Sequence, residues 1–146
     1  MPIKVLIIDD DPAITELLGL ILQSYGLQVA SANDSAIGLE MAHQEIPDII
    51  ILDLMMPGKS GWDVCHEVRA FSHVPIAILS AIDDPAMIAS ALDAEADDYM
   101  VKPIPSSELL AHINNLTRRA SAEKGDKNAL LRQTGALYFE QKPVQA

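Results

Sequence analysis

Basic residues are scarce in this chain. Of its 146 residues only 10 are Lys or Arg, against 21 Asp or Glu, and the net charge is −11. The deficit is uneven. Through Thr117 there are 4 basic and 18 acidic residues, a balance of −14; from Arg118 onward there are 6 and 3, a balance of +3. The first part would be repelled by nucleic-acid phosphates, so its natural partners are cations and basic surfaces. Aromatic residues make up only 4% of a chain that is 49% hydrophobic, so the core must be built mainly from Ile, Leu, Val, Ala and Met. The single cysteine, Cys65, excludes an internal disulfide. No apolar run approaches the roughly 20 residues of a membrane span. The opening MPIKVLIIDD breaks into acids after four apolar residues, unlike a secretory leader. A soluble cytoplasmic protein with one domain is expected.

Short apolar runs alternate with helical patterns. VLII (5–8) is followed by Ile14, Leu17, Leu18, Ile21, Leu22 and Tyr25, whose spacing predicts one helical face. Asp11 caps this helix in the expected arrangement, Pro12 suits its first turn and Gly26 can end it. LQVASA (27–32) reads as a second strand, and Asp34 and Ser35 open a helix to about Gln44. DIIILD (48–53) is apolar without alternation, as in a strand covered on both faces. A loop LMMPGKSG leads to a helix bearing Trp62, Val64, Cys65 and Val68. PIAILSA (75–81) is a fourth strand, and Asp83, Asp84 and Pro85 start a helix carrying Ile88 and Leu92. DDYMV (97–101) is a fifth strand, followed by a helix opened by Ser106 or Ser107. Five rounds of strand and helix predict an α/β fold with a doubly wound parallel sheet, order 2-1-3-4-5, flavodoxin-like. After Arg119 the pattern weakens: 120–135 reads as a linker and 136–144 as one more short strand.

In that order the first and third strands are neighbours. Asp9 and Asp10 at the end of one then meet Asp53 at the end of the other, in the crevice where such sheets bind ligands. Two like charges about 5 Å apart repel by roughly 3 kcal/mol at an effective dielectric near 20. Three acids together call for a compensating cation, and hard oxygen ligands in a partly open site suit Mg²⁺, with Mn²⁺ as the alternative. Ser80 after the fourth strand adds a hydroxyl and Lys102 after the fifth adds a positive charge. The set describes a site for a phosphoryl group, with the central Asp53 as nucleophile. Taken singly, each residue has a plainer reading: turn, cap, loop hydroxyl or surface charge. His43, His66, His73 and His112 lack metal spacing and read as solvated surface; Cys65 reads as a core residue and Trp62 as partial packing.

IIDDDP, IILDLMMPGKSGWDV, PIAILSA and DDYMVKPI, in that order, resemble the receiver domain of bacterial two-component response regulators, over about residues 3 to 119. The resemblance implies a receiver domain over 1–119, with 120–146 a linker, a tail or the start of a truncated output domain. It implies that a sensor histidine kinase or phosphotransfer protein phosphorylates Asp53. Asp10 would then ligate the metal directly, Asp9 through water and Met55 through its backbone carbonyl. Ser80 and Lys102 would contact the phosphoryl group, Ser80 and Tyr99 would form the conformational switch, and the Lys102–Pro103 bond would be cis. The domain would catalyse only its own phosphoryl transfer and a slow autodephosphorylation, hindered by Met55 and Ile82. Two departures stand out. Glu95-Ala96 replaces the family's Gly-Ala before the fifth strand, where a strained turn is expected. His112 and Asn114 stand where arginines are common, which leaves Asp97, Asp98 and Glu108 without their family partners and argues against the usual salt-bridged dimer; a monomer or weak dimer is expected. The competing reading is an aspartate-nucleophile phosphohydrolase of the haloacid dehalogenase type, through Asp9-x-Asp11. It wants Thr or Val where Ala13 stands and leaves Asp53 unexplained. A third is a receiver with a protein-binding role that is never phosphorylated.

Overall fold

The computed structural model describes the backbone of residues 2–136 and the side chains of residues 2–123. Five parallel strands, β1 (Lys4–Ile8), β2 (Gln28–Ala32), β3 (Ile49–Leu52), β4 (Ile76–Ser80) and β5 (Asp98–Val101), form one sheet of order β2-β1-β3-β4-β5. Helices α1 (Pro12–Ser24), α2 (Ser35–Glu45), α3 (Gly61–Arg69), α4 (Pro85–Asp93) and α5 (Ser106–Ala136) alternate with them. The expected fold class and strand order are both present.

The central strands are buried throughout: every residue of β3 and β4 is inaccessible or nearly so. Their side chains feed two cores, one on each face of the sheet. Leu6, Ile8, Ile50, Leu52, Ile76 and Ile78 meet α2, α3 and α4 through Ala42, Val64, Cys65, Val68 and Ala91. Val5, Ile7, Ile49, Ile51, Ala77 and Leu79 meet α1 and α5 through Leu22, Leu109, Ile113 and Leu116. Alternate residues of one strand thus serve opposite layers, which is why these strands show no polar face.

Helix starts follow local chemistry. Asp11, Asp34 and Asp84 each accept a first-turn backbone N–H, and Ser60 forms a reciprocal capping box with Asp63. The buried stripe of α1 differs from the expected one. Thr15, Gly19 and Leu22 are buried, whereas Leu17 and Tyr25 are exposed. Gly19 faces Val29 of β2, where a Cβ would sit 3.6 Å from Val29 Cγ1, an ordinary contact. The last helix continues through residues read as a linker and is described as far as Ala136; the rest of the strand read over 136–144 lies outside the described residues. No helix among the described residues is long and apolar enough to cross a membrane.

Among the described residues, two other than glycine have left-handed backbone: Ile46, which ends α2 at φ 47°, and Glu95, at φ 74° in the turn before β5. Glu95 is the position where the sequence predicts strain. Arg69 steadies that turn: its guanidinium donates to the carbonyls of Glu95, Ser72 and Val74 and pairs with Asp97 at 2.8 Å.

Candidate phosphoryl and metal site

The register explains how distant acids meet. Ile8 pairs with Leu52, so Asp9 and Asp53 leave the sheet side by side, and the Asp53 N–H donates to the Ile8 carbonyl at 3.0 Å. Ser80 pairs with Val101, and the Lys102 N–H donates to the Ser80 carbonyl at 2.9 Å. Asp9, Asp53, Ser80 and Lys102, with Asp10 next to Asp9, therefore lie at the carboxyl edge of one sheet. Carboxylate oxygens of Asp9, Asp10 and Asp53 come within 4.8 Å of one another. Asp9 and Asp53 are buried and Asp10 is exposed.

The Lys102 ammonium reaches into this cluster, 2.7 Å from Asp9 Oδ2 and 3.8 Å from Asp53 Oδ2. Burial pushes the Asp53 carboxyl above its ordinary range; the Lys102 charge opposes this, Asp9 reinforces it, and the backbone N–H groups of Met55 and Leu54 lower it again. Three carboxylates on one open edge match the ligand preference of a hard divalent ion, which neutralises charge that a single lysine leaves over. The donor set fits such an ion.

The remaining site residues occupy different depths. Ser80 is buried and its hydroxyl accepts the Ile82 N–H at 3.2 Å. Tyr99 is half-buried, and its hydroxyl donates to the Ile82 carbonyl at 2.7 Å, tying β5 to the β4–α4 loop. The Met55 side chain is 58% exposed. The Lys102–Pro103 peptide is cis.

Several supporting residues escaped sequence reasoning. Asn33 donates to the Asp9 carbonyl at 2.9 Å and to Thr15 Oγ1 at 3.0 Å, fixing the turn that carries the acids. Only the strand register, not local spacing, brings Asn33 there. Asp97 is bound by Arg69 and by the Ile76 N–H, and His112 Nδ1 lies 2.5 Å from Asp98 Oδ2. These acids therefore have partners inside the chain, and His112 is not the free surface residue expected. His43 likewise stacks on Phe71, ring centroids 3.6 Å apart. Trp62 packs half-buried against the core, as expected, with its indole N–H buried and unpartnered.

Residues 5–114 match the response regulator receiver domain family. The chain is 44% identical over 136 residues to the probable transcriptional regulator ycf27 of Guillardia theta, covering 93% of this chain and 53% of that protein. It is 37% identical over 123 residues to the DNA-binding response regulator MtrA of Mycolicibacterium smegmatis, covering 84% of this chain and 54% of that protein. The chain thus spans about half the length of the curated relatives it matches. Among solved structures, the BeF3-activated N-terminal receiver domain of Klebsiella pneumoniae RstA aligns with a TM-score of 0.76 at 30% identity, over 79% of this chain and 98% of that one. A CheY-like receiver domain protein of Methanospirillum hungatei shares the fold at a TM-score of 0.80 and 23% identity, over 84% of this chain and 99% of that one. The chain belongs to the response regulator receiver domain family of two-component signalling. The haloacid dehalogenase alternative finds no support in these comparisons.

Proposed function

We propose that Asp53 accepts a phosphoryl group from a sensor histidine kinase or phosphotransfer protein, and that the gain of charge biases the domain between two conformations. The observation that supports this best is the convergence of Asp9, Asp10 and Asp53 at the ends of adjacent strands, with the Lys102 ammonium among them. Asp9, Asp10, Asp53 and the Met55 carbonyl are the residues that would hold Mg²⁺, with Mn²⁺ as the alternative. When bound, the ion neutralises charge on the phosphoryl oxygens.

A carboxylate oxygen of Asp53 attacks phosphorus as the P–N bond of a phosphohistidine breaks. The imidazole leaves as the neutral base, keeping the proton its other ring nitrogen already carried, and an acyl phosphate forms. Lys102 offsets the new charge, about −2, once its hold on Asp9 is shared with the phosphoryl oxygens. Ser80 Oγ gives up the Ile82 N–H and turns toward the phosphoryl group, and Tyr99 follows the loop that its hydroxyl holds. The domain turns over no other substrate, and its own hydrolysis of the acyl phosphate is slow.

The receiver occupies 1–119, and residues 120–146 serve as a linker or tail, or open an output module of the kind the DNA-binding relatives are named for. The setting is the cytoplasm, where the kinase's phosphorylated domain resides. Mass spectrometry after incubation with acetyl phosphate and Mg²⁺ tests the reading. A gain of one phosphoryl group is expected, absent in Asp53→Ala. Equal labelling of Asp53→Ala would overturn it.

A further inference from the structure

The start of α3 is pressed against the backbone of the phosphoryl-acceptor segment. The Gly61 N–H donates to the Leu54 carbonyl at 2.9 Å. A Cβ at Gly61 would lie 2.3 Å from the Asp53 carbonyl oxygen, 2.7 Å from Leu54 Cα and 3.0 Å from the Asp53 carbonyl carbon. All three are main-chain atoms, so no rotamer change relieves the overlap. Gly38 makes the contrast: its Cβ would meet only side-chain atoms of Ile8, at 2.8 to 3.0 Å, which are free to move aside.

What Gly61 touches carries the chemistry. The three residues Asp53, Leu54 and Met55 supply the acceptor carboxylate, two N–H groups that hydrogen-bond it, and the carbonyl assigned above to the metal. The seat itself is held from outside, since Ser60 and Asp63 close a capping box around the first turn of α3. Below it, Val64, Cys65 and Val68 lock the helix into the core. With α3 fixed, any atom added at Gly61 displaces the acceptor segment rather than the helix.

We infer that Gly61 is a positioning residue of the phosphoryl and metal site: its missing side chain lets α3 set the place of the Asp53–Met55 backbone. The inference rests on the function proposed above. Displacement of supporting groups around a metal site typically costs about 10–100-fold in metal affinity. Gly61→Ala should therefore weaken Mg²⁺ binding and slow phosphorylation by acetyl phosphate by about that factor.

Mg²⁺ titration followed by fluorescence of Trp62, the only tryptophan, reads the site without requiring turnover. Gly26→Ala is the control for stability. Gly26 has φ 87° and open space around it, at the far end of α1 from the site. A side chain there strains the fold and touches no acceptor group. The expected result is that Gly61→Ala loses Mg²⁺ affinity while Gly26→Ala, equally or more destabilised, keeps it. Ser60→Ala, at an exposed capping bond, loosens the same seat without adding an atom and should show a smaller loss in the same direction. If Gly61→Ala does not fold, Ser60→Ala against Gly26→Ala decides. Wild-type affinity in the folded Gly61→Ala, or in Ser60→Ala where it alone can be measured, overturns the inference. Absence of Mg²⁺ binding by the wild type would instead sink the proposed function.

Discussion

Lys102 Nζ sits 2.7 Å from Asp9 Oδ2 and 3.8 Å from Asp53 Oδ2, so one cation is shared unequally between two buried acids. Asp53 receives the smaller share. Burial holds its carboxyl above the ordinary range, with Asp9 adding to the effect. A carboxyl raised in the folded state gives stability that is present below the ordinary value of 3.8 and lost as pH rises through the folded value. Above that range and without a metal, the charge on Asp53 therefore opposes folding. Asp53→Asn should stabilise the protein in EDTA by on the order of 1 kcal/mol, since it removes a repulsion of about 3 kcal/mol that Lys102 partly offsets. Thermal melts check this. Adding Mg²⁺ should raise the wild-type melting temperature more than that of Asp53→Asn, because only the native tri-acid site gains by mass action. Equal shifts would contradict it.

Glu95 adopts a backbone that L-residues avoid, at φ 74°. The left-handed region costs a residue with a Cβ about 1–2 kcal/mol, and glycine returns roughly 0.5–1 kcal/mol of that as lost chain entropy. Glu95→Gly should be more stable by about 0.5 kcal/mol in urea unfolding, since Arg69 holds only the carbonyl of this residue and loses nothing. Destabilisation would mean that the Glu95 side chain, not its backbone, matters.

The two strain positions also mark how far the sequence could be read. Glu95 was visible because a resemblance supplied the expected glycine; Ile46 was not, since nothing in EIPD announces a left-handed residue. The strands, their order and four helix starts were legible because unbroken runs such as Ile49–Leu52 and caps such as Asp11 and Asp84 are local signals. The meeting of Asp9 with Asp53 was legible because topology alone fixes it. Contacts set by side-chain reach across the fold were not: Arg69 to Asp97, His112 to Asp98, and Asn33 beneath Asp9. Nor was the inward face of α1, where apolar residues on two sides leave the choice open and Thr15, Gly19 and Leu22 are the residues buried.

Cys65 is buried at the back of α3, and its thiol donates to the Ala94 carbonyl at 3.0 Å. Burial pushes the thiol up to about 11, from an ordinary value of 9.0. The group is neutral in both folded and unfolded chains below 9.0; above it the unfolded chain ionises first. Its contribution to stability is therefore full below 9.0 and is lost as pH rises through about 11. Iodoacetamide at pH 8 should leave the native protein unmodified and label it fully in urea. The urea midpoint should fall more steeply between pH 8 and 10.5 for wild type than for Cys65→Ala. Native labelling at the unfolded rate would refute the buried placement.

Asp97 and Asp98 are engaged by Arg69 and His112 of the same chain, and α4 carries no basic residue. A second copy set face to face across α4, β5 and α5 would bring the acids of α4 and β5 together, with exposed cations among the described side chains of these elements only at Arg118 and Arg119, late in α5. Phosphorylated protein, or protein treated with a beryllofluoride mimic, should stay monomeric or form only a weak dimer in light scattering over a concentration series. A tight dimer that dissociates at high salt would show that ion pairs of the usual kind form after all.

Met55 and Ile82 lie two residues beyond Asp53 and Ser80, on the two loops that flank the Asp53 carboxylate. Neither side chain can hydrogen-bond a water in line with the phosphorus–oxygen bond. Ile82 is also held in place, half-buried against the core with its carbonyl bound by the Tyr99 hydroxyl. Met55 is different: it is 58% exposed and is free to be exchanged. Hydrolysis needs a positioned water, and an apolar pair withholds the group that would position it. The acyl phosphate should accordingly persist for minutes or longer once the phosphodonor is removed. Met55→Asn, which adds a donor and an acceptor without touching the core, should shorten that lifetime several-fold while leaving the rate of phosphorylation by acetyl phosphate within about twofold of wild type. A wild-type lifetime of seconds, or a Met55→Asn decay no faster than wild type, would show that access of water is not what limits the phosphorylated state.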